Sequence, residues 1–413
     1  MAGDQQLLRD HTVLVSNGRI TAVGPVGSVV VPDNADRVDG AARYLIPGLA
    51  DMHVHLEHFD DPAVLQEFLK HGVTTVRNMD GRPYILEWRQ RVIDGELPGP
   101  TIVTAGPLLD GSPPLRDDNT VVRDAAEAQA AVIAQDSAGY DFIKVYTNLS
   151  REAYQSVMRT AAERDLPVVG HVPRPLDIRQ VMEAGQRAVE HLDGYDDLVE
   201  ADNSPYRGRW HWSKLYLAMP ADTAKITRAA ALTAKGGMWN VPTLVVKTKL
   251  ASLSVMQEWL RELDLRPLPP KVRAFWDPAN WDEEYRRQLE TLGAEEMAVL
   301  DAGRANRGRL VKALSDAGAG ILVGTDTPNP FVLPGPAVHE ELRLFVEAGL
   351  APHAALAAAT REPARFLGRL EHSGTIEVGK VADLVLLDAN PLEDIRNTER
   401  IVGVVVRGAY RTW

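Results

Sequence analysis

The sequence predicts an α/β fold, a (β/α)8 TIM-type barrel carrying a small β-sandwich domain formed by both chain termini. Three observations lead there. Through the middle of the chain short apolar strands alternate with longer helix-patterned stretches, the signature of βαβ units and a parallel sheet. Eight such strands can be counted. Both ends of the chain share a β-rich texture broken by turn residues. Eight parallel strands with outer helices close into a barrel more readily than they spread into an open doubly wound sheet.

In chain order, the runs His11 to Ser16 and Arg19 to Val23 flank Asn17-Gly18, a strong hairpin signal. Barrel strands follow at 45–56, 73–78, 101–105, 141–146, 167–171, 188–192, 238–245 and 321–325, with helices at 63–71, 124–138, 151–164, 177–184, 223–234 and 305–317. Strand-like runs return at 374–379, 382–388 and 400–407. Because chain ends commonly lie near each other, the termini are expected to form one discontinuous β domain (1–46 plus 372–413) around a catalytic barrel (47–371). A stretch near 196–300 exceeds the simple repeat and holds Trp210, Trp212, Trp239, Trp259, Trp276 and Trp281. Such an insertion sits over a barrel mouth as a lid or wall, although most of the aromatics suit the core of an accessory helical layer.

Composition bounds the function. The chain has 413 residues, 45% of them hydrophobic, and 45 basic against 57 acidic residues leave a net charge of −12. That field opposes polyphosphate and anionic lipid, so neither nucleic acid nor membrane is an expected partner and a small-molecule substrate is, with a homo-oligomer possible. No run reaches the ~18 apolar residues of a membrane span, and Met1 to Asp10 is polar. The default expectation is a cytoplasmic protein, with a processed exported form left open. The absence of cysteine removes disulfides, thiolate metal sites and a cysteine nucleophile, so any metal must be held by His, carboxylate or modified Lys. Neither a Gly-x-Ser-x-Gly elbow, nor His-Glu-x-x-His, nor a dinucleotide glycine fingerprint is present.

What the sequence does place at the C-terminal ends of predicted strands, where a barrel presents its active site, is a set of isolated polar residues. The first strand ends Asp51-Met-His53-Val-His55, the fourth carries Lys144 between Ile143 and Val145, the fifth ends at His171, the sixth at Glu190-His191 and the eighth at Thr325-Asp326. Residues two apart on a strand share a face, so His53 and His55 can grip one ion. His171 or His191 alone would read as a satisfied core histidine. An ammonium inside an apolar strand needs either a carboxylate partner or a depressed pKa, and a neutral amine could add CO2 to give a metal-bridging carbamate. Asp326 stands where a carboxylate can bind metal and move protons. Together the six positions favour a metal site over coincidence.

These residues resemble the amidohydrolase superfamily of metal-dependent barrel hydrolases, with His-x-His on strand one, Lys on four, His on five, His on six and Asp on eight. Leu45-Ile-Pro-Gly-Leu-Ala-Asp-Met-His-Val-His, Gly72-Val-Thr-Thr-Val-Arg, Phe142-Ile-Lys-Val-Tyr, Val241-Pro-Thr-Leu and Gly379-Lys-Val-Ala-Asp-Leu-Val-Leu-Leu-Asp are similar to its imidazolonepropionase-related, prolidase-like dipeptidase branch. The resemblance implies two divalent ions, with Zn2+ foremost and Mn2+, Co2+ or Fe2+ open. His53 and His55 would hold the buried ion and His171 and His191 the exposed one. A carbamate at Lys144 would bridge them, and Asp326 would complete the buried site. It further implies hydrolysis of the amide bond of a small N-acyl amino acid or dipeptide through a metal-bridging hydroxide, with Asp326 as proton shuttle. A cyclic amide, lactone or organophosphorus ester on the same metals, or a non-catalytic barrel scaffold, are the alternatives. Two features depart from the pattern. Residues 5–10 stand where relatives have an earlier strand, and Val145-Tyr-Thr-Asn148 replaces a Gly-rich turn. Tyr146, on the face of Lys144 and nearer the mouth, is a candidate substrate contact or a structural tyrosine, and His339 after strand eight is a candidate contact set against the favoured reading of a first-turn helix histidine.

Overall fold

The computed structural model describes residues 7–208, 217–263, 265 and 268–413. Trp210, Trp212 and the first part of the 5–10 segment lie outside the described residues. Parallel pairing organises the centre. Leu49–Val54, Val73–Asn78 and Thr101–Thr104 form one parallel set, and Ile143–Val145, Val168–Gly170, Ala188–Glu190 and Trp239–Val241 form another. Single bridges join the sets between Ala105 and Phe142. The segment 321–327 runs between the last strand and the first, through Asn240 to Ile321 and Val54 to Thr327. The pairings therefore return to the strand on which they began.

Side-chain alternation explains why these short apolar runs choose strand. Ala50, Met52, Val103, Ala105, Phe142, Val169, Ala188, Val241 and Leu322 pack with one another in one core. Their neighbours Leu49, Val73, Val76, Ile102, Ile143, Val145, Val168, Val189, Ile321 and Val323 join the outer core with the helices. Those helices start where the sequence offers caps: the Asp124, Ser150, Asp177 and Asp222 side chains accept backbone N–H bonds at the starts of Ala125–Ala138, Arg151–Ala162, Ile178–Glu183 and Thr223–Gly236.

The terminal pieces also meet. Tyr44–Pro47 pairs with Leu384–Leu387, which continues to Ile401–Val406 and Ala409–Arg411, all antiparallel. The hairpin His11–Ser16 with Arg19–Pro25 attaches through Ile20 N–H to Lys380 O at 2.9 Å. Ile20, Ile376, Ala382 and Leu384 form its small core.

Several expected boundaries move. The predicted strand 45–56 divides at Gly48, where a Cβ would lie 2.1 Å from Thr74 Oγ1, so one half serves the terminal sheet and the other the ring. The run 374–379 forms no strand; it is the turn that carries Lys380 toward Ile20. The predicted strand 238–245 ends at Val241 and gives way to the helix Leu244–Thr248, because both Glu341 carboxylate oxygens accept the Leu244 and Val245 N–H groups at its start. Nor is 196–300 one insertion, since Thr223–Gly236 and Trp239–Val241 within it are a regular helix and strand of the ring. The extra material is concentrated in Leu253–Glu262, Pro270–Trp276 and Glu283–Glu290. Its aromatics build a layer: Trp259 and Trp276 lie 5.3 and 5.7 Å from the Phe331 ring. Trp239 is different, packing at 5.5 Å on Phe366 within the inner core. Among the described residues no helix is long and apolar enough to cross a membrane.

Candidate metal centre and active site

The strand ends converge. His53 Nε2 lies 3.3 Å from His55 Nε2, and Asp326 Oδ1 lies 3.3 and 3.2 Å from those two nitrogens. Ligand atoms on a tetrahedral ion held at ~2.0–2.1 Å stand about 3.3 Å apart, so the three atoms already have the spacing of one coordination face. His191 stands with His53 and Asp326 as a group whose ligand atoms could hold one ion. Its ring lies 4.7 Å from His53 and 5.0 Å from His171. Lys144 is 1% exposed and lines the cavity that His55, His171, His191 and Asp326 also line, a volume of about 110 Å3.

Backbone shape brings these groups together where alternation alone would not. Ala188 and Glu190 share the inner face, so His191 should point outward; φ of 58° at His191 turns the chain and re-aims its ring. Asp326 likewise takes φ of 63°. A left-handed conformation costs a non-glycine residue roughly 1–2 kcal/mol, and such strain collects at functional sites. Gly324 makes the room: a Cβ there would lie 2.4 Å from Val241 Cγ1 and 2.8 Å from His53 Cβ.

Each histidine is held through Nδ1. His53 Nδ1 meets Glu190 Oε2 at 2.8 Å and His55 Nδ1 meets Glu57 Oε1 at 2.6 Å. His191 Nδ1 meets Thr243 Oγ1 at 2.7 Å, and His171 Nδ1 meets Thr147 Oγ1 at 3.0 Å and Asp193 Oδ2 at 3.2 Å. Engaging Nδ1 fixes the ring and leaves Nε2 to face any ion, the arrangement metal-binding histidines need. Glu190 is itself gripped by Arg77 Nη2 at 2.9 and 3.0 Å.

The electrostatics agree. Burial, with Lys144 and His53 as positive neighbours, pulls His171 well below the usual imidazole value, and burial also pulls down His191, so both present lone pairs. Burial would raise Asp326, but His53 and His191 hold it well below the usual carboxylate range. Burial draws the Lys144 ammonium down against the pull of Glu190 and Asp326, toward the neutral amine that carbamate formation requires. His55 stands apart: burial lowers it, yet Glu57 and Asp326 overcome that and lift it to about 10. A cation entering between His55 and Asp326 would take the place of that proton. The donor set of imidazoles and a carboxylate fits divalent Zn, Mn, Co or Fe.

Of the two candidate substrate contacts, Tyr146 lines the cavity, its ring 4.1 Å from His171. His339 is not brought there. It is 3% exposed, bonded to Thr398 Oγ1 at 2.9 Å and His71 O at 3.1 Å, because the helix Pro336–Glu347 turns its first-turn histidine into the packing between helices. Sequence reasoning passed over Glu57, Glu190, Thr243, His58 and Arg116. Glu190 carried a usable signal, a carboxylate inside an apolar strand, the same oddity that singled out Lys144. His58 lines the cavity and stacks on Phe275 at 4.7 Å, and burial pushes it down to about 4.

Known proteins align with this layout. The chain is 25% identical to the imidazolonepropionase of Rhizobium rhizogenes across 92% of this chain and 87% of the relative. It is 23% identical to the ochratoxinase of Aspergillus niger across 95% of this chain and 80% of the relative. Among solved structures, a bottromycin amidohydrolase superposes with a TM-score of 0.73 at 26% identity, covering 97% of this chain and 82% of the other. A Xaa-Pro dipeptidase with methionine in its active site gives 0.69 at 21%, covering 97% and 94%. Such neighbours imply a TIM-barrel fold with an extra domain, and their family consists of hydrolases of C–N bonds that are generally metal-dependent. The sequence profile of the amidohydrolase family matches residues 44–410, and the chain belongs to that family.

Proposed function

We propose that the protein is a binuclear metal-dependent amidohydrolase that cleaves the amide bond of a small N-acyl amino acid or dipeptide. The observation that carries this reading is the convergence of His55, His171, His191, Lys144 and Asp326 on one small cavity, with the buried His53 behind it 3.3 Å from both His55 and Asp326, and every histidine held by a partner at Nδ1. Lys144 is what favours two ions over one, since a single-ion site held by His53, His55, His191 and Asp326 would leave a buried amine with no purpose. The likeness to an imidazolonepropionase and to a bottromycin amidohydrolase supports C–N bond hydrolysis. On this reading the ring is a closed (β/α)8 barrel over residues 47–371, and 1–46 with 372–413 form one β-sandwich domain.

His53, His55 and Asp326 would hold the buried ion, His171 and His191 the exposed one, and a carboxylated Lys144 both. Ions bound there would polarise the scissile carbonyl and make water nucleophilic near neutral pH. Asp326, low in pKa and open to the cavity, takes the proton from the attacking water and returns it to the leaving amine as the C–N bond breaks, giving acid and amine. Tyr146 borders the substrate.

Elemental analysis of protein prepared with Zn2+ and bicarbonate, without chelator, tests the centre. Near two ions per chain is expected, and near one or none would overturn the bridged reading. A panel of N-acetyl amino acids and dipeptides, set beside cyclic amides, lactones and organophosphorus esters, tests the substrate class.

A further inference from the structure

We infer that Arg116, together with Tyr146, forms an anion subsite in the mouth of the cavity, and that the substrate therefore presents a free carboxylate there. This rests on the hydrolase reading above and narrows it to substrates ending in a carboxylate, at the exclusion of neutral amides and lactones.

Arg116 lines the same cavity as Lys144, Tyr146, His171, His191 and Asp326, and it comes from the loop between the short strands Leu109–Asp110 and Thr120–Val121. The loop presents it deliberately. Asp118 accepts Arg116 Nε at 3.3 Å and Nη2 at 3.5 Å, and the same carboxylate accepts Arg82 Nη2 at 3.1 Å. Arg82 in turn pairs with the fully buried Asp80. The chain Asp80, Arg82, Asp118 thus anchors one edge of the Arg116 guanidinium by long bonds and leaves Nη1 for another partner. The bonds are too long for Asp118 to be the end that Arg116 serves: a carboxylate matched to a guanidinium closes to about 2.7–2.9 Å.

Tyr146 supplies the second donor. Among the described residues its hydroxyl makes no hydrogen bond, and it interacts electrostatically with Arg116 first of all charged neighbours. Burial holds that hydroxyl protonated, able to donate. A planar guanidinium edge beside a phenol is the geometry that selects a carboxylate. The cavity of about 110 Å3 and the net charge of −12 disfavour bulkier and more highly charged anions. Leu108, Phe275 and Pro328 line the cavity as well, alongside His55, His58 and Asn329, and these apolar groups suit an apolar side chain beside that carboxylate.

The test compares N-acetyl-L-leucine with N-acetyl-L-leucinamide on the zinc-loaded enzyme, for wild type, Arg116→Met, Arg116→Lys and Tyr146→Phe. Wild type should prefer the acid. Arg116→Met should raise KM for the acid by roughly 10- to 100-fold with kcat little changed, as loss of one charge-assisted bond predicts. The KM for the amide should stay put, Lys should restore part of the preference, and Tyr146→Phe should cost less. Equal handling of acid and amide by wild type, or a preference that survives Arg116→Met, would overturn the inference. Metal content and melting temperature of Arg116→Met serve as folding controls and should match wild type. If neither compound nor any other panel member is cleaved, the hydrolase reading fails, and calorimetric binding of N-acetyl-L-leucine still decides the subsite: no binding to wild type, or equal binding to Arg116→Met, overturns it.

Discussion

The two histidine pairs of the centre are built differently. His53 and His55 stand on one strand and lean on carboxylates, Glu190 and Glu57, at 2.8 and 2.6 Å. His191 leans on a hydroxyl, Thr243, while His171 has Thr147 at 3.0 Å and only a longer contact to Asp193. A carboxylate behind an imidazole raises its basicity more than a hydroxyl does. The first pair, closed by Asp326 at 3.2–3.3 Å, is preassembled for an ion. On the proposed reading the second depends on Lys144 to complete it. One half should therefore bind metal tightly and resist change, and the other should be the half that exchanges its ion.

The sharpest way to break this contrast is Asp326→Asn, which removes the oxygen shared by the tight half and the proton carrier together. Its turnover should fall by roughly 10²- to 10⁴-fold, and a rate near wild type would remove Asp326 from the chemistry. Next is Glu190→Leu, which leaves Arg77 charged and fully buried without its carboxylate. Loss of such a partner costs about 3–5 kcal/mol, so urea unfolding should show a large drop in midpoint. A small drop would mean that the His53 support is not what stabilises this half. On the loose half, Lys144→Ala should retain about one ion of two by elemental analysis and should not respond to bicarbonate. Two ions in that variant would contradict the bridge. Smallest of all, Thr243→Val should weaken the exchangeable ion by about 10-fold in chelator competition, against as much as 100-fold for Glu57→Gln on the buried ion. Equal effects would erase the asymmetry.

Much of this centre was legible in the sequence because strand periodicity is a local property. His53 and His55 two apart, Lys144 between Ile143 and Val145, and Asp326 after an apolar run all declare themselves without knowledge of the fold. His339 could be read either way from sequence, as a mouth residue or as a first-turn helix histidine, and the direction of the helix Pro336–Glu347 sends it to Thr398 and His71. Glu57, Thr243 and Arg116 were missed because each sits in a loop or short turn, where no period says which way a side chain faces.

The sequence by itself determined the candidate ligand types, the alternation of strand and helix and the β-rich texture of both ends, since these follow from hydrophobic period and turn chemistry within short windows. Only the tertiary structure decided which groups meet. The left-handed turn at His191, the space left by Gly324, the Glu341 carboxylate that ends a strand and starts a helix, and the Asp118 anchor that holds Arg116 at the cavity all arise between segments far apart in the chain. A side chain's direction is settled by what it packs against, and that partner is named only when distant strands pair.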